Sequence, residues 1–317
     1  MLSLWRKIKK IIETLNTQKY LISVVGPTAI GKTALSIKLA NYFNTEIISA
    51  DSRQFFKEMQ IGTAAPSKEE LEAAPHHFIH NKSVTEDYSV GQFEKEGITC
   101  ITTLHKKHDV VILVGGSGLY VDAITKGLDY FPEVSPEIRS ELNQRLKDEG
   151  LLALQNQLQK LDLKSYSTIA IDNPKRVIRA LEICIASGQP YSSFLRQHNN
   201  KRPFKTITIG LTAEREIIYD RINRRVDIMM DSGLLDEVKS LLPHQHLNAL
   251  NTVGYKEIFK YLNNDWTLDF AISEIKKNSR RFAKRQLTWF RKSPNTLWFD
   301  YQDNPKDIIK VIETHMN

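Results

Sequence analysis

Eight consecutive residues carry the clearest chemistry in the chain: Gly26, Pro27, Thr28, Ala29, Ile30, Gly31, Lys32 and Thr33 match the GxxxxGK[ST] spacing. A loop of this kind turns successive backbone N–H groups toward a phosphate chain, sets Lys32 against the outer phosphate and offers the Thr33 hydroxyl to Mg²⁺. The flanking sequence suits it. Ile22-Ser23-Val24-Val25 is a β-branched run before the loop, and Ala34, Leu35, Ile37, Leu39 and Ala40 follow at helical spacing. The stretch reads as strand, phosphate loop and helix, with the positive end of the helix adding to the loop amides.

A second candidate is Asp51, in Asp51-Ser52-Arg53-Gln54, directly after the strand-like run Glu46-Ile47-Ile48-Ser49-Ala50. In an open parallel sheet the ligand crevice lies beyond the carboxyl ends of the strands, which sets Asp51 and the phosphate loop on one cavity. There Asp51 can serve as a base, a metal ligand or a ribose partner, and its spacing equally allows an N-cap for the next turn. A third strand-like run, Asp109-Val110-Val111-Ile112-Leu113-Val114, ends in Gly115-Gly116-Ser117-Gly118-Leu119-Tyr120. P-loop hydrolases usually close this strand with an acid that helps to hold Mg²⁺ and organises the attacking water. Glycines in its place argue against ordinary ATP hydrolysis. His76, His77 and His80 lie in a loop-rich stretch, residues 61–92, with no cysteine close by, so the four ligands of a closed zinc site are not at hand.

Basic residues gather in two places. Lys175, Arg176 and Arg179 share one helical face near a helix start, a placement that suits a nucleic acid backbone or a solvated surface alike. Residues 275–292 hold Lys276, Lys277, Arg280, Arg281, Lys284, Arg285, Arg291 and Lys292, eight cations in eighteen residues with Phe282, Trp289 and Phe290 between them. Neutralising phosphates releases counterions, and aromatic and guanidinium planes stack on unpaired bases, so single-stranded RNA or an RNA loop is the natural target. Arg215, Arg221, Arg224 and Arg225 fall on a long helical pattern that ends near Met229 and Met230, within which one arginine can reach a phosphate.

The elements that must position these groups alternate strand and helix on either side of a helical interruption. Residues 136–149, 151–161 and 174–187 read as helices without strands between them; strand signals return at 206–211, and 296–300 completes a count of five. The predicted fold class is α/β: a P-loop NTPase-like parallel sheet flanked by helices, with an inserted all-helical domain. The core domain comprises residues 1–125 and 203–317, including the basic C-terminal helices, and the insertion covers 126–202. A chain of 317 residues with 41% hydrophobic and 26% charged residues has ample material for this core. A net charge of +7 and a pI near 9.1 favour a polyanionic partner. Cys100 and Cys184 form no CxxC pair and fit reduced cytosolic thiols. With no apolar run of membrane-spanning length and no signal-peptide pattern, a cytoplasmic protein without membrane attachment is expected. Residues 1–16 carry Leu4, Trp5, Ile8, Ile11, Ile12 and Leu15 at helical spacing among basic residues, which suits a helix docked on the body more often than one lying on a membrane.

GPTAIGKT at 26–33, ADSRQ at 50–54, IGTAAP at 61–66, HHFI at 76–79, GGSGLY at 115–120, NPKRVIRALEI at 173–183, VGYKEI at 253–258 and KRQLTWFRK at 284–292 occur in this order. Together they closely resemble the bacterial tRNA dimethylallyltransferases, over about residues 21–292. The resemblance implies transfer of a dimethylallyl group from dimethylallyl diphosphate to N6 of the adenosine 3′-adjacent to the anticodon, tRNA position 37, in tRNAs reading codons that start with U. Mg²⁺ is the implied cofactor and the tRNA anticodon stem-loop the implied partner; a monomer is the default.

By the same resemblance Asp51 is the general base for the adenine amine, while Lys32, Thr33 and Arg225 stabilise the departing diphosphate. Thr28 places a hydroxyl near that group and Thr33 holds Mg²⁺. The family's RNA contacts carry over to Asp51, Ser52, Arg53, Gln54, Ser117, Arg139, Lys175, Arg176, Val177, Ile178 and Arg179. They continue with Asn251, Thr252, Val253, Gly254, Tyr255, Lys256, Lys284, Arg285, Gln286, Trp289 and Arg291. Ser117 stands where many relatives have Thr, which keeps the hydroxyl; the first twenty residues extend beyond the family's usual start. Two other readings stand beside this one, an adenylate isopentenyltransferase acting on free nucleotides and an RNA-associated P-loop kinase or NTPase. The helical insertion and the cationic 275–292 stretch weigh against the first, and the glycine-ended third strand against the second.

Overall fold

Strand β1 (Tyr20–Val25) and strand β4 (Val110–Val114) are buried at every position, as a parallel strand covered by helices on both faces requires. The computed structural model, which describes residues 18–195 and 201–316, sets these two side by side in the middle of a sheet. The predicted helix over 1–16 lies outside the described residues. With β2 (Ile47–Ser49), β3 (His76–His77), β5 (Lys205–Thr212) and β6 (Thr296–Asp300), the order is β3-β2-β4-β1-β5-β6. Every pairing is parallel, and the register places Val24 opposite both Val114 and Ile209.

The period of two along these strands separates two apolar layers. Leu21, Ile48, Val111 and Leu113 face a layer that contains Phe93 and Ile101 of α3 (Val90–Leu104) and Val121 and Ile124 of α4 (Gly118–Thr125). Ile22, Val24, Ile47 and Ile112 face the opposite layer, with Leu35 and Leu39 of α1 (Lys32–Tyr42). From the chain beyond β5, Ile218 and Ile222 of α9 (Arg215–Asp231) and Ile308 and Ile312 of α13 (Pro305–Met316) join that second layer. Each of these buried side chains is worth about 1.5–3 kcal/mol of transfer free energy, which makes the sheet centre a main source of this unit's stability. The chain leaves β1 toward β2 on one side and returns through β5 on the other, so the loop after β1 opens on the crevice at the strands' carboxyl ends.

The expected α/β architecture is present, with two corrections. The sheet has six strands rather than five. The sixth is β3, two residues inside the stretch expected to be loop, and two residues are too few to show any alternation. That stretch also contains α2 (Lys68–Ala73), begun by a capping box of Ser67 and Glu70, and α3 begins at Val90 behind a second capping box, Ser89 with Gln92.

Of the described residues, those up to Lys126 and from Arg202 onward form one compact unit, and Gly127–Lys201 forms another. The second unit is helical: α5 (Pro136–Asp148), α6 (Leu151–Leu161), α7 (Leu163–Thr168) and α8 (Pro174–Ser187). Helix α7 was not expected; its signal is the buried Asp162, whose carboxylate caps the Ser165 amide at 3.0 Å. Leu142, Leu154, Leu158, Val177 and Leu181 make this unit's own core. Among the described residues no helix is long and apolar enough to cross a membrane.

Candidate active site

The loop after β1 takes a conformation that its glycines permit. Gly26 and Gly31 have φ of 145° and 107°, and a Cβ on Gly26 would stand 2.6 Å from the Leu211 carbonyl oxygen of β5. Ala29, at φ 64°, holds a left-handed conformation that costs a non-glycine residue about 1–2 kcal/mol. Helix α9 supports it there, since Arg221 Nε donates to the Ala29 carbonyl at 2.7 Å. One turn further along α9, Arg225 Nη1 donates to Thr28 Oγ1 at 3.0 Å. Lys32 opens α1 and donates from Nζ to the Pro27 carbonyl at 2.7 Å. The Thr33 hydroxyl makes no hydrogen bond among the described residues and faces the same cavity.

Lys32 and Arg225 are both half-buried on the cavity. Burial and then the charge of Arg225 bring the Lys32 pKa down to about 7, while Asp51 works in the opposite direction. Burial likewise lowers Arg225, opposed by the charges of Asp51 and Glu70. Half-buried like charges of this kind are relieved by an anion, and the loop amides favour the same ligand.

Asp51 lines this cavity of about 650 Å³ together with the loop, Thr33 and Arg225. The capping alternative for Asp51 is realised on one oxygen: Oδ1 accepts the Arg53 N–H at 2.9 Å, while Oδ2 makes no hydrogen bond among the described residues. Ser117 Oγ accepts the Ser52 amide at 3.0 Å and donates to Ser52 Oγ at 3.1 Å, which joins the end of β4 to the turn after β2. Gly115 permits this approach, for a Cβ there would lie 2.4 Å from the Ala50 carbonyl oxygen. Gln54 Nε2 donates to the Ala64 carbonyl at 3.1 Å and ties in residues 61–66, another wall of the cavity.

That wall has an anchor which sequence reading missed. Glu237 of α10 (Leu234–Ser240) accepts the Gln60 and Ile61 amides on Oε2, at 2.9 and 2.7 Å. Its Oε1 accepts the Gly62 amide at 2.9 Å and the Tyr255 hydroxyl at 2.6 Å. No spacing rule singles out an acid on an ordinary amphipathic helix, so Glu237 carried no signal. Asn251, Thr252, Val253, Gly254 and Lys256 also line the cavity, whereas Tyr255 is fully buried in the core of α11 (Tyr255–Leu262) and its neighbours.

The cationic stretch belongs to α12 (Leu268–Phe290) and the turn after it, and its charges divide in two. Lys276 pairs with Asp227 at 2.5 Å, Lys277 with Glu274, and Arg280 bonds Asn223 Oδ1 at 2.6 Å. Arg281, Lys284, Arg285, Arg291 and Lys292 are exposed and form no ion pair among the described residues. Trp289, partly exposed, donates from Nε1 to Asp122 at 3.0 Å and covers Gly118, where a Cβ would meet its ring at 2.4 Å. Gln286, in the same stretch, is buried.

In the helical unit Glu182 is fully buried and holds two arginines. Arg139 makes a two-pronged contact with it at 2.7 and 2.6 Å, and Arg179 a third. Burial alone would raise the Glu182 pKa, and the hydrogen bonds from Arg139 and Arg179 outweigh it, leaving the carboxylate below its ordinary value. Lys175 and Arg176 are exposed. Val177 and Ile178 are buried, so their side chains belong to this unit's core and are corrected as surface contacts: on an amphipathic helix they fall on the face opposite the basic residues. The three histidines do not assemble a metal centre; His77 bonds Glu46 at 2.7 Å, and no cluster of three or more His, Cys, Asp or Glu side chains able to hold a metal occurs among the described residues.

The family described as IPP transferase matches residues 54–293, more than half of the chain. The chain belongs to that family. A tRNA dimethylallyltransferase of Christiangramia forsetii is 60% identical to this IPP transferase over 298 residues, covering 94% of the chain and 99% of the relative. Among solved structures, the full-length tRNA isopentenylpyrophosphate transferase of Bacillus halodurans is 40% identical with a TM-score of 0.70, covering 94% of this chain and 96% of that one. A eukaryotic dimethylallyltransferase solved acting on tRNA is 26% identical with a TM-score of 0.78, over 90% of this chain and 74% of that one. This IPP transferase is thus a tRNA dimethylallyltransferase by family.

Proposed function

We propose that this tRNA dimethylallyltransferase moves the dimethylallyl group of dimethylallyl diphosphate to N6 of the adenosine at position 37, 3′-adjacent to the anticodon, in tRNAs that read codons starting with U. The observation that supports this reading best is the meeting of Asp51, the phosphate loop, Thr33 and Arg225 on one cavity whose β4 wall ends in glycine.

The adenine N6 lone pair bonds to the allylic carbon as the carbon–oxygen bond breaks, and the bonding pair leaves on the diphosphate. Negative charge therefore grows at the loop, where the free amides, Lys32 and Arg225 stabilise it more than they stabilise the bound donor. Lys32 enters the reaction protonated once the anion neighbours it. The amine proton passes to Asp51, whose Oδ2 is unengaged while Oδ1 stays fixed on the Arg53 amide. No attacking water needs an acid to orient it, which fits a β4 that is followed directly by Gly115 and Gly116.

The donor set suits Mg²⁺ of the P-loop kind. With no acidic cluster among the described residues, Thr33 Oγ1 would be its protein ligand, the other oxygens coming from diphosphate and water. Bound there, the ion supplies neutralisation of the leaving group's charge. Lys284, Arg285, Trp289 and Arg291 of the core unit hold the anticodon stem-loop, and Asn251 to Val253 and Lys256 meet the adenosine's surroundings in the cavity; Lys175 and Arg176 of the helical unit, taken by itself, present exposed cations suited to RNA phosphates.

Mapping the product tests the finer part of this reading. Transcripts differing only in the third anticodon base are treated with dimethylallyl diphosphate and digested, and the modified nucleoside is located by mass. Modification at position 37 that depends on adenine as that base is expected; modification elsewhere, or independent of it, would overturn the assignment.

A further inference from the structure

Gln286 is 5% exposed, yet Lys284 and Arg285 before it and Trp289 after it are on the surface. Both ends of its amide are engaged. Oε1 accepts the Thr28 N–H at 2.8 Å, and Nε2 donates to the Gly116 carbonyl at 2.9 Å. The reverse orientation would oppose donor to donor and acceptor to acceptor, so the partners define which end is which. One side chain of α12 thereby joins the phosphate loop after β1 to the loop that ends β4. Room for it exists because residue 116 has no side chain: a Cβ there would lie 2.4 Å from Gln286 Nε2 and 3.7 Å from Lys32 Nζ.

We propose that Gln286 is a positioning residue for the diphosphate loop rather than an RNA contact, and that Gly116 is its steric counterpart. The bond to Gln286 removes the Thr28 amide from those free to meet phosphate and fixes Thr28, whose hydroxyl then receives Arg225 at 3.0 Å. The bond to Gly116 holds that loop beside the Lys32 ammonium. An acid at the end of β4 would occupy the place of Gln286, so the glycine and the glutamine make one device. This inference rests on the reading of the loop as a diphosphate site.

Equilibrium binding of inorganic pyrophosphate and, separately, of an anticodon stem-loop RNA to the full chain tests it, with Gln286→Met, Gln286→Glu, Gly116→Ala and Lys284→Ala. Gln286→Met fills the volume without polar atoms and leaves a buried donor and acceptor unpaired, so pyrophosphate affinity should fall roughly 10- to 100-fold. Donor KM should rise in step, with RNA affinity and its salt dependence unchanged. Gln286→Glu keeps the Thr28 bond but opposes two acceptors at Gly116, and Gly116→Ala displaces the glutamine, so both should weaken pyrophosphate too. Lys284→Ala should do the reverse, weakening RNA alone. Loss of RNA binding with normal pyrophosphate binding in Gln286→Met would overturn the proposal, as would unaltered binding of both. Wild-type protein that binds no pyrophosphate would instead overturn the diphosphate reading itself. Melting temperature and far-UV dichroism of each variant separate loss of the loop geometry from loss of the fold.

Discussion

Lys32 Nζ donates to the carbonyl oxygen of Pro27 at 2.7 Å, five residues back in the same loop. Burial, then the charge of Arg225, brings its pKa down to about 7, so Lys32 loses its proton more readily than an ordinary lysine until an anion arrives. A bound diphosphate favours the ammonium, and the bound pKa lies above the free one. Between those two values binding takes up a proton. Donor affinity is therefore insensitive to Lys32 below about pH 7 and falls as pH rises above it, by up to about 10-fold per unit. Titration calorimetry near pH 8, in buffers of differing ionisation heat, should show proton uptake that vanishes in Lys32→Met. Equal uptake in both proteins would contradict it.

Asp51 permits a cleaner substitution than alanine. In Asp51→Asn the oxygen that accepts the Arg53 amide is kept, while the negative charge beside Lys32 and Arg225 and the capacity to take a proton are lost. Turnover should drop roughly 10²- to 10⁴-fold, with donor and RNA affinities little changed. Turnover within a few-fold of the unsubstituted protein would mean that another group is the base.

The carboxylate of Glu237 holds three consecutive amides and the Tyr255 hydroxyl. Glu237→Ala should cost about 2–3 kcal/mol in denaturant unfolding, and Tyr255→Phe, which removes one hydroxyl and keeps the ring, about 1 kcal/mol. Because the same amides shape the cavity wall, donor and RNA KM should rise in Glu237→Ala at temperatures where it is fully folded. An unaltered unfolding midpoint would show that the loop at 60–62 is held by something else.

The division of charges on α12 predicts unequal salt effects. Lys284→Ala or Arg285→Ala should lower RNA affinity and reduce the slope of log affinity against log salt by about 1, the loss of one phosphate contact. Lys276, already paired with Asp227, should change that slope far less when replaced by alanine. Identical slopes for the three variants would mean that the surface at 284–285 does not track the RNA backbone.

The parts of this molecule that were legible in the sequence are those with a local physical signature. A buried parallel strand is a continuous β-branched run, and a phosphate loop must break into glycine before a helix; both show in a dozen residues around Gly26 to Thr33. Helix α8 was legible for the same reason, with Asn173 as cap, Pro174 in the first turn and Gly188 beyond the end. What stayed hidden depends on partners distant in the chain. His76 and His77 become a strand only because Ile47 and Ile48 lie beside them. Gln286 sat among eight cations and read as one more surface contact, yet its partners are 258 and 170 residues away. Glu237 is a helix acid like any other until the loop at 60–62 folds onto it. Composition and periodicity report burial and period, not which buried polar groups find each other.

On the proposed reading, the loop at 26–33 holds a diphosphate that departs while an RNA adenine takes the carbon chain. Incubation with dimethylallyl diphosphate labelled in the dimethylallyl group, in parallel with unmodified tRNA, with AMP, and with ATP plus tRNA in place of the donor, tests it most directly. The predicted result is label in tRNA at adenine N6, none in AMP, and no phosphate release from ATP stimulated by tRNA. Label in AMP but not in tRNA, or tRNA-stimulated ATP hydrolysis without prenyl transfer, would contradict it.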